Sequence, residues 1–352
     1  MKKLVSLLVA LSLVLMMGVA VAETYDVAMI TDVGTIDDKS FNQGTWEGIV
    51  AYCEANKISH QYYKPAAKST EAYLDSIEQA VTNGAKVIVT PGFLFEEPIY
   101  IAQDMYPEVT FVLLDGNPHN ADYSEFRTEK NAVGIVFAEE QSGFLAGYAA
   151  VKEGFTKLGF MGGMAVPAVV RFGYGFVQGA DQAAKELGIP EVAMNYYYTG
   201  GFDATPEAQA MAASWYADGV ECIFACGGAV GNSVMAAAKA AGAKVIGVDV
   251  DQSAESETVI ASAAKGLAAA VEQTLSAYYA GTFPGGQALV LGAAQNGVTL
   301  PMPEGRMVNF TTADYDTIYA KLVSGEYAPI KDDAATAATE IKTEIVKVNL
   351  IG

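Results

Sequence analysis

The chain has 352 residues, 51% of them hydrophobic, which is enough to fill the cores of two ordinary domains. Its net charge of −20 and pI near 4.4 leave nothing to neutralise a phosphate backbone, so nucleic acid is excluded as a partner. The same acidity argues against a polyanionic substrate and says little about fold.

At the N-terminus, "MKK" supplies a positive start, "LVSLLVALSLVLMMGVAV" an apolar stretch, and Ala20-Val21-Ala22 a small-x-small site before Glu23. As a helix, residues 4–22 would reach roughly 28 Å at ~1.5 Å per residue, enough for an uncleaved anchor. The cleavage site and the abrupt switch to "ETYD" favour removal after Ala22, giving a signal peptide over 1–22 and an exported chain from Glu23. No later stretch is long and apolar enough to span a bilayer.

Downstream, apolar runs alternate with Ala-rich segments of helical period. "YDVAMI" (25–30) reads as a strand, followed by helices in "FNQGTWEGIVAYCEANK" and "TEAYLDSIEQAVTNG". "KVIVTPG", "TFVLLDG" and "NAVGIVF" are strands, and "EEQSGFLAGYAAVKEG" returns to helix. A second block, from Lys157 to Val250, places strands in "KLGFMGG", "VAMNYYY", "ECIFACGG" and "KVIGVD". Its helices are "RFGYGFVQGADQAAKELG", "ATPEAQAMAASWYADG" and "VGNSVMAAAKAAG". One more helix-like segment, "SAAKGLAAAVEQTLSAYYAG" (262–281), precedes an irregular Pro- and Gly-rich stretch (281–306). Continuous apolar strands between amphipathic helices mean parallel sheet buried on both faces, a doubly wound α/β fold.

Many strand runs end in turns rich in Gly, Asp or Thr, such as "ITDVG", "VTPGF", "LLDG", "GFMGG", "FACGG" and "GVDVD". Ligands of open α/β sheets bind outside the carboxyl ends of the strands, so these turns are the candidate site. Two blocks of similar architecture would set their turns face to face across a cleft.

The inventory of reactive groups argues against an enzyme. There is no Walker lysine loop, no Rossmann glycine pattern after the first strand, no nucleophile elbow and no triad context for His60 or His119. The histidines lack a neighbouring Cys or His, so no metal is expected, and nothing calls for a cofactor. Cys222 and Cys226 lie four residues apart on one strand, roughly 13 Å, too far for a disulfide. They and Cys53 are expected to remain thiols. Asp37 and Asp38 read as a solvated turn favouring a helix N-terminus. Asp32 follows the first strand directly, where its carboxylate faces the cleft or caps the turn. Phe41 opens the next helix, able to lie on a ring or to join the core.

"MITDVGTIDDKSFNQGTWEG" resembles the opening of the basic membrane protein family of ABC-transporter substrate-binding proteins, which includes bacterial purine nucleoside receptors. The resemblance continues through "VGIVFAEEQSGFLAGYAA", "KLGFMGGMAVPAVVRFGYGFVQGA", "CGGAVGNSV", "VIGVDVDQ" and "AQNGVTL", covering nearly all of the chain after the signal peptide. It implies a periplasmic-binding-protein type I fold, with two doubly wound lobes, three crossovers and a ligand cleft. The expected lobes are 23–138 plus 262–297 and 139–261 plus 298–352.

The resemblance further implies capture of a purine nucleoside such as inosine, guanosine or adenosine. By motif, Asp32 and Asp115 would contact the base, Phe41 would stack on it, Asn42 would join the ligand-binding set, and Phe202 would supply the second ring, with Phe172 its competitor. Asp249, Gly228 and Lys265 would hold the ribose. The implied partners are the permease and ATPase subunits of an importer, with the binding protein a periplasmic monomer. Ala22-Glu23 stands where lipid-anchored members carry a cysteine, so no lipid anchor is expected. Rival readings are a sugar or other small polar solute in the same cleft, a surface receptor or adhesin on the same fold, and a nucleoside-processing enzyme.

Overall fold

The computed structural model describes residues 24–351; the signal peptide expected over 1–22 and its cleavage site lie outside them. The chain forms two parallel sheets, each sandwiched by helices. The first contains β1 (Val27–Ile30), β2 (His60–Tyr63), β3 (Val87–Pro91), β4 (Thr110–Leu114), β5 (Ala132–Phe137) and β11 (Gln287–Leu291). Its order is β2-β1-β3-β4-β5-β11, all parallel. The second contains β6 (Lys157–Gly162), β7 (Val192–Tyr198), β8 (Cys222–Cys226), β9 (Lys244–Asp249), β10 (Val259–Lys265), β12 (Val298–Thr299) and β13 (Val346–Leu350). It runs β13-β7-β6-β8-β9-β10-β12, parallel except for the β10–β12 pair.

Both sheets therefore share the order 2-1-3-4-5. Each has a switch point, between β1 and β3 and between β6 and β8, where flanking connections diverge and leave a crevice at the carboxyl ends. β1, β3, β4 and β8 are buried at every residue, matching their apolar runs, and so is β10.

The chain crosses between lobes three times. After β5 it enters α4 (Glu139–Glu153), which packs along α5 (Pro167–Leu187) in the second lobe. After β10 it returns as α8 (Leu267–Tyr279), lying on α1 (Phe41–Asn56). From β11 it crosses again to β12. Among the described residues, the N-cap side chain itself accepts at three helices, Ser69 from Ala72 N–H before α2 (Thr70–Thr82), Thr205 from Ala208 N–H before α6 (Pro206–Ala217), and Thr311 from Asp314 N–H before α9 (Thr312–Ser324).

Two expectations need correction. Residues 262–265 are not helical but complete β10, buried between β9 and β12, and only Leu267–Tyr279 is helix. The small Ala and Ser side chains favour a helix locally, but the slot in the sheet overrides that preference. The chain accordingly leaves the second sheet after Lys265. The stretch 281–306 is not wholly irregular either, since it holds β11 and β12. Also absent from the sequence reading were β2, β13, α3 (Glu96–Met105) and α9.

α4 and α5 touch backbone to backbone. A Cβ on Gly143 would fall close enough to Phe172 O to overlap it, and one on Gly179 would do the same at Phe144 O. Glycine here permits a close approach that fixes Phe172 and Arg171 relative to the start of α4. Cys53, Cys222 and Cys226 are buried free thiols.

Candidate functional site

At the facing carboxyl ends of the two sheets lies a cavity of about 350 Å³, within the range of small-molecule sites. Asp32, Phe41, Asn42, Asp115, Phe202, Gly228, Asp249 and Lys265 all line it. The strand-end turns deliver them. Asp32 follows β1, Asp115 follows β4, Gly228 follows β8, and Asp249 and Lys265 end β9 and β10. Asp115 and Asp249 both adopt left-handed backbone, φ 60° and 66°, which turns each carboxylate off its strand into the cleft.

The first lobe's wall is a rigid turn. Asp38 accepts from the N–H groups of Ser40, Asn42 and Gln43, closing the N-terminus of α1. Asn42 donates from Nδ2 to Asp32 Oδ1 (2.9 Å) and Asp38 Oδ2 (3.0 Å), while its Oδ1 accepts from Asp32 N–H (3.3 Å). Both hydrogens of its amide are thus engaged, and Asn42 orients Asp32. Asp32 Oδ1 also accepts from Gly34 N–H at 2.7 Å. Its other oxygen makes no hydrogen bond among the described residues. Burial pushes the Asp32 carboxyl up to about 6, with the Gly34 and Asn42 donors pulling it back.

Lys265 is the hub of the opposite wall. Its ammonium lies 2.5 Å from Asp115, 3.4 Å from Asp249 and 3.4 Å from Glu139, and 4.4 Å from the Phe41 ring centroid. Burial opposes its charge, but the carboxylates hold its pKa well above the ordinary lysine value. Glu139, fully buried, extends the network to Arg171 at 2.6 Å, and Arg171 reaches Asp332 at 3.3 Å. Burial works against ionisation of Glu139 too, yet Arg171 and Lys265 hold it below the usual glutamate range. Asp115 fares differently. Burial drives it up to about 7 despite Lys265, and the neighbouring charges of Glu139 and Asp249 add to the rise. Its Oδ1 is buried without a partner among the described residues.

Several of these contacts bridge the lobes, namely Lys265 to Asp115, Ser40 Oγ donating to Asp249 Oδ2 at 2.5 Å, and Gln252 Nε2 donating to Lys39 O at 2.7 Å. Phe41 and Phe202 are half-buried against the cavity, whereas Phe172 is 1% exposed and sits edge-on to Phe224. Sequence reasoning missed Glu139, Arg171 and Ser40. The only signal for Glu139 and Ser40 was membership of the motifs "FAEEQSG" and "DKSFNQ". Among the described residues, no cluster of three His, Cys, Asp or Glu side chains could hold a metal ion.

Residues 25–326 match the family described as "ABC transporter substrate-binding protein PnrA-like". Basic membrane protein A1 of Borrelia garinii is 31% identical over 313 residues, covering 87% of this chain and 88% of that protein. The ABC transporter nucleoside-binding protein BmpA of Lactococcus lactis is 29% identical over 296 residues, with coverages of 78% and 80%. Among solved structures, a solute-binding protein of an ABC transporter system from Aeropyrum pernix K1 superposes with TM-score 0.76 at 23% identity, covering 88% of this chain and 94% of that one. The type I periplasmic-binding-protein fold implied by the sequence is thus the fold of this chain.

Proposed function

Since the chain belongs to the Bmp family of PnrA-like ABC transporter substrate-binding proteins, extracytoplasmic ligand carriers rather than enzymes, we propose that its cleft captures a purine nucleoside. One observation carries this reading: a half-buried aromatic ring from each lobe, Phe41 and Phe202, lines the same small cavity as carboxylates with unmet acceptor oxygens. A purine base is a flat ring with N–H donors on its edge, and stacking on an aromatic side chain is worth about 1–3 kcal/mol per base. The printed name of the Lactococcus relative, a nucleoside-binding protein, agrees with it.

In this reading Asp32 and Asp115 accept from the base, and Phe41 and Phe202 cover its two faces. Asp249 accepts from the ribose hydroxyls, Lys265 donates to them, and Gly228 lets the backbone come close. Contacts from both lobes give the ligand a higher affinity for the closed cleft, the differential that drives closure. The closed monomer then delivers its cargo to the permease and ATPase subunits of an importer, free in the periplasm after cleavage at Ala22.

Mass spectrometry of small molecules released when the purified protein is denatured tests the ligand class. Calorimetry with guanosine, inosine, adenosine and representative sugars follows. Nucleosides should bind and their free bases bind far more weakly. A released sugar, or no heat with any nucleoside, overturns the reading.

A further inference from the structure

After α9 the chain runs along α5 as a strap, residues 327–345, before joining the second sheet as β13. The strap lies beyond residues 25–326, where the match to the family ends. One face of α5 is given over to it. Arg171 reaches Asp332, and Tyr174 donates its hydroxyl to Ala335 O at 3.1 Å. Gln178 brackets Ile330, accepting from its N–H at 2.8 Å and donating to its carbonyl at 3.1 Å. Asp181 accepts from the N–H groups of Glu344, Ile345 and Val346, and Lys185 pairs with Glu344 at 3.0 Å. These positions keep the three- and four-residue spacing of a single helix face. Within this row, Arg171 also touches the charge network of the cavity. Its Nε donates to Glu139 Oε2 at 2.6 Å, while its Nη1 donates to Asp332 Oδ2 at 3.3 Å. The strap and the ligand cavity therefore meet in one guanidinium.

We infer that the C-terminal strap sets the affinity of the cleft from outside it. Asp332 and Arg171 are positioning residues that, through Glu139, keep the Lys265 ammonium between Asp115 and Asp249. The inference rests on Lys265 being a ligand contact, as in the reading above.

Lys265 has one ammonium for three carboxylates, and its resting place depends on what else neutralises Glu139. Arg171 takes Glu139 Oε2, and the ammonium lies 3.4 Å from Glu139 Oε1 but 2.5 Å from Asp115. Without Arg171, the fully buried Glu139 would have Lys265 as its one ion-pair partner among the described residues. The ammonium would then be drawn off the cleft, because a buried carboxylate without its counter-charge is costly. Asp332 acts one step further back, holding the second arm of the planar guanidinium so that the first stays on Glu139. The neighbouring Glu140 senses both Arg171 and Lys331 of the strap, but its Oε2 has no partner among the described residues, and it stands outside this path.

Titration calorimetry with guanosine at neutral pH tests the relay. Arg171→Met should weaken binding about three- to thirty-fold. Adding Glu139→Gln should recover most of that loss, because a neutral amide no longer competes for the ammonium. An arginine that served packing alone would leave the double variant no better than the single one, which overturns the inference. Asp332→Asn should weaken binding about two- to five-fold in the parent and have no effect in Arg171→Met, where its route to the cleft is gone. Parent-like affinity in both single variants, or losses that add when they are combined, overturns the inference and leaves the nucleoside reading standing. Should Arg171→Met not fold, Arg171→Lys keeps a cation beside Glu139 without the second arm. It should then bind like Asp332→Asn, and the two changes together should cost no more than either alone. Failure of the parent to bind any nucleoside removes the ligand reading and moves the test to melting temperatures. There Asp332→Asn and Lys265→Met, whose residues share no ion pair, should be non-additive if the relay exists, and additive losses overturn it.

Discussion

Lys265 Nζ sits 2.5 Å from Asp115 Oδ2, joining the last residue of β10 in the second lobe to the residue that follows β4 in the first. The same ammonium is the only cation within 4 Å of Asp249 among the described residues, and one of two that reach Glu139. Lys265 is thus both a wall of the cavity and a tie across it.

Replacing it leaves buried carboxylates without their counter-charge. Lys265→Met should destabilise the free protein by about 3–5 kcal/mol at neutral pH, the usual penalty for removing one partner of a buried ion pair. Thermal denaturation checks this. Combining it with Asp115→Asn should recover part of the loss, because the second change removes one stranded charge, and strictly additive losses would contradict the pairing.

Glu140 provides a pH test away from the cavity. It is 2% exposed, its Oε2 has no partner among the described residues, and burial raises it from 4.5 to about 7. Asp32 and Asp115 are raised in the same sense, to about 6 and about 7. A carboxyl raised by folding binds more protons in the native than in the unfolded state. Its contribution is complete below about pH 4 and is lost as pH rises through 6 to 7. Groups held below their ordinary values, such as Glu139 and Asp181, act at lower pH. The melting temperature of the free protein should therefore fall between pH 5 and pH 8. Glu140→Gln, which mimics the protonated form, should flatten part of that fall and stabilise the protein at pH 8 by about 1–3 kcal/mol. An unchanged slope would show that Glu140 finds solvent or a partner.

How far the sequence revealed this architecture depended on periodicity. Strands such as β1, β3, β4 and β8, unbroken apolar runs ended by Gly or Asp turns, were readable because parallel strands are buried on both faces. β10 was not. "VIASAAK" is a strand only because β9 and β12 lie beside it, and its composition favours helix. That misreading put Lys265 in a helix-like segment, when it ends β10 and lines the cavity. The residues that line the cavity were legible through short motifs, most of them at strand ends. The Glu139–Arg171 pair was not, because 32 residues separate its members and each reads alone as the polar face of a helix. β11 carries the short apolar run Ala288–Leu291, but its residues are mostly exposed and it reads as part of the irregular stretch 281–306.

Gly143 gives a packing test. A Cβ there would overlap Phe172 O, and the neighbouring contacts of Gly147 and Gly175 are equally close, so neither helix can yield locally. Gly143→Ala should lower stability by at least about 3 kcal/mol, at the upper end for overpacked cores, despite the better helix propensity of alanine. Chemical denaturation measures it. A stabilised variant would mean that α4 and α5 can slide apart without loss.

The two candidate rings of the second lobe separate by burial. Phe172 is 1% exposed, its ring edge-on to Phe224 at 5.9 Å, and the Lys265 ammonium lies 5.4 Å from its centroid. It touches the cavity wall but is almost wholly buried in the core. Phe202 is half-buried, packs over Gly163 and lines the cavity from a turn. Phe172→Ala should therefore behave as a core truncation, costing about 3–5 kcal/mol of stability. Phe202→Ala should leave the melting temperature of the free protein within a few degrees of the parent. It should weaken nucleoside binding by about 1–3 kcal/mol, the loss of one stacking face, and it should weaken guanosine and adenosine alike because stacking does not read the base edge. Melting curves with and without ligand, together with calorimetry on both variants, distinguish the roles. If Phe202→Ala binds as tightly as the parent while a folded Phe172→Ala loses binding, the second ring is Phe172, and the base must lie deeper, against α5.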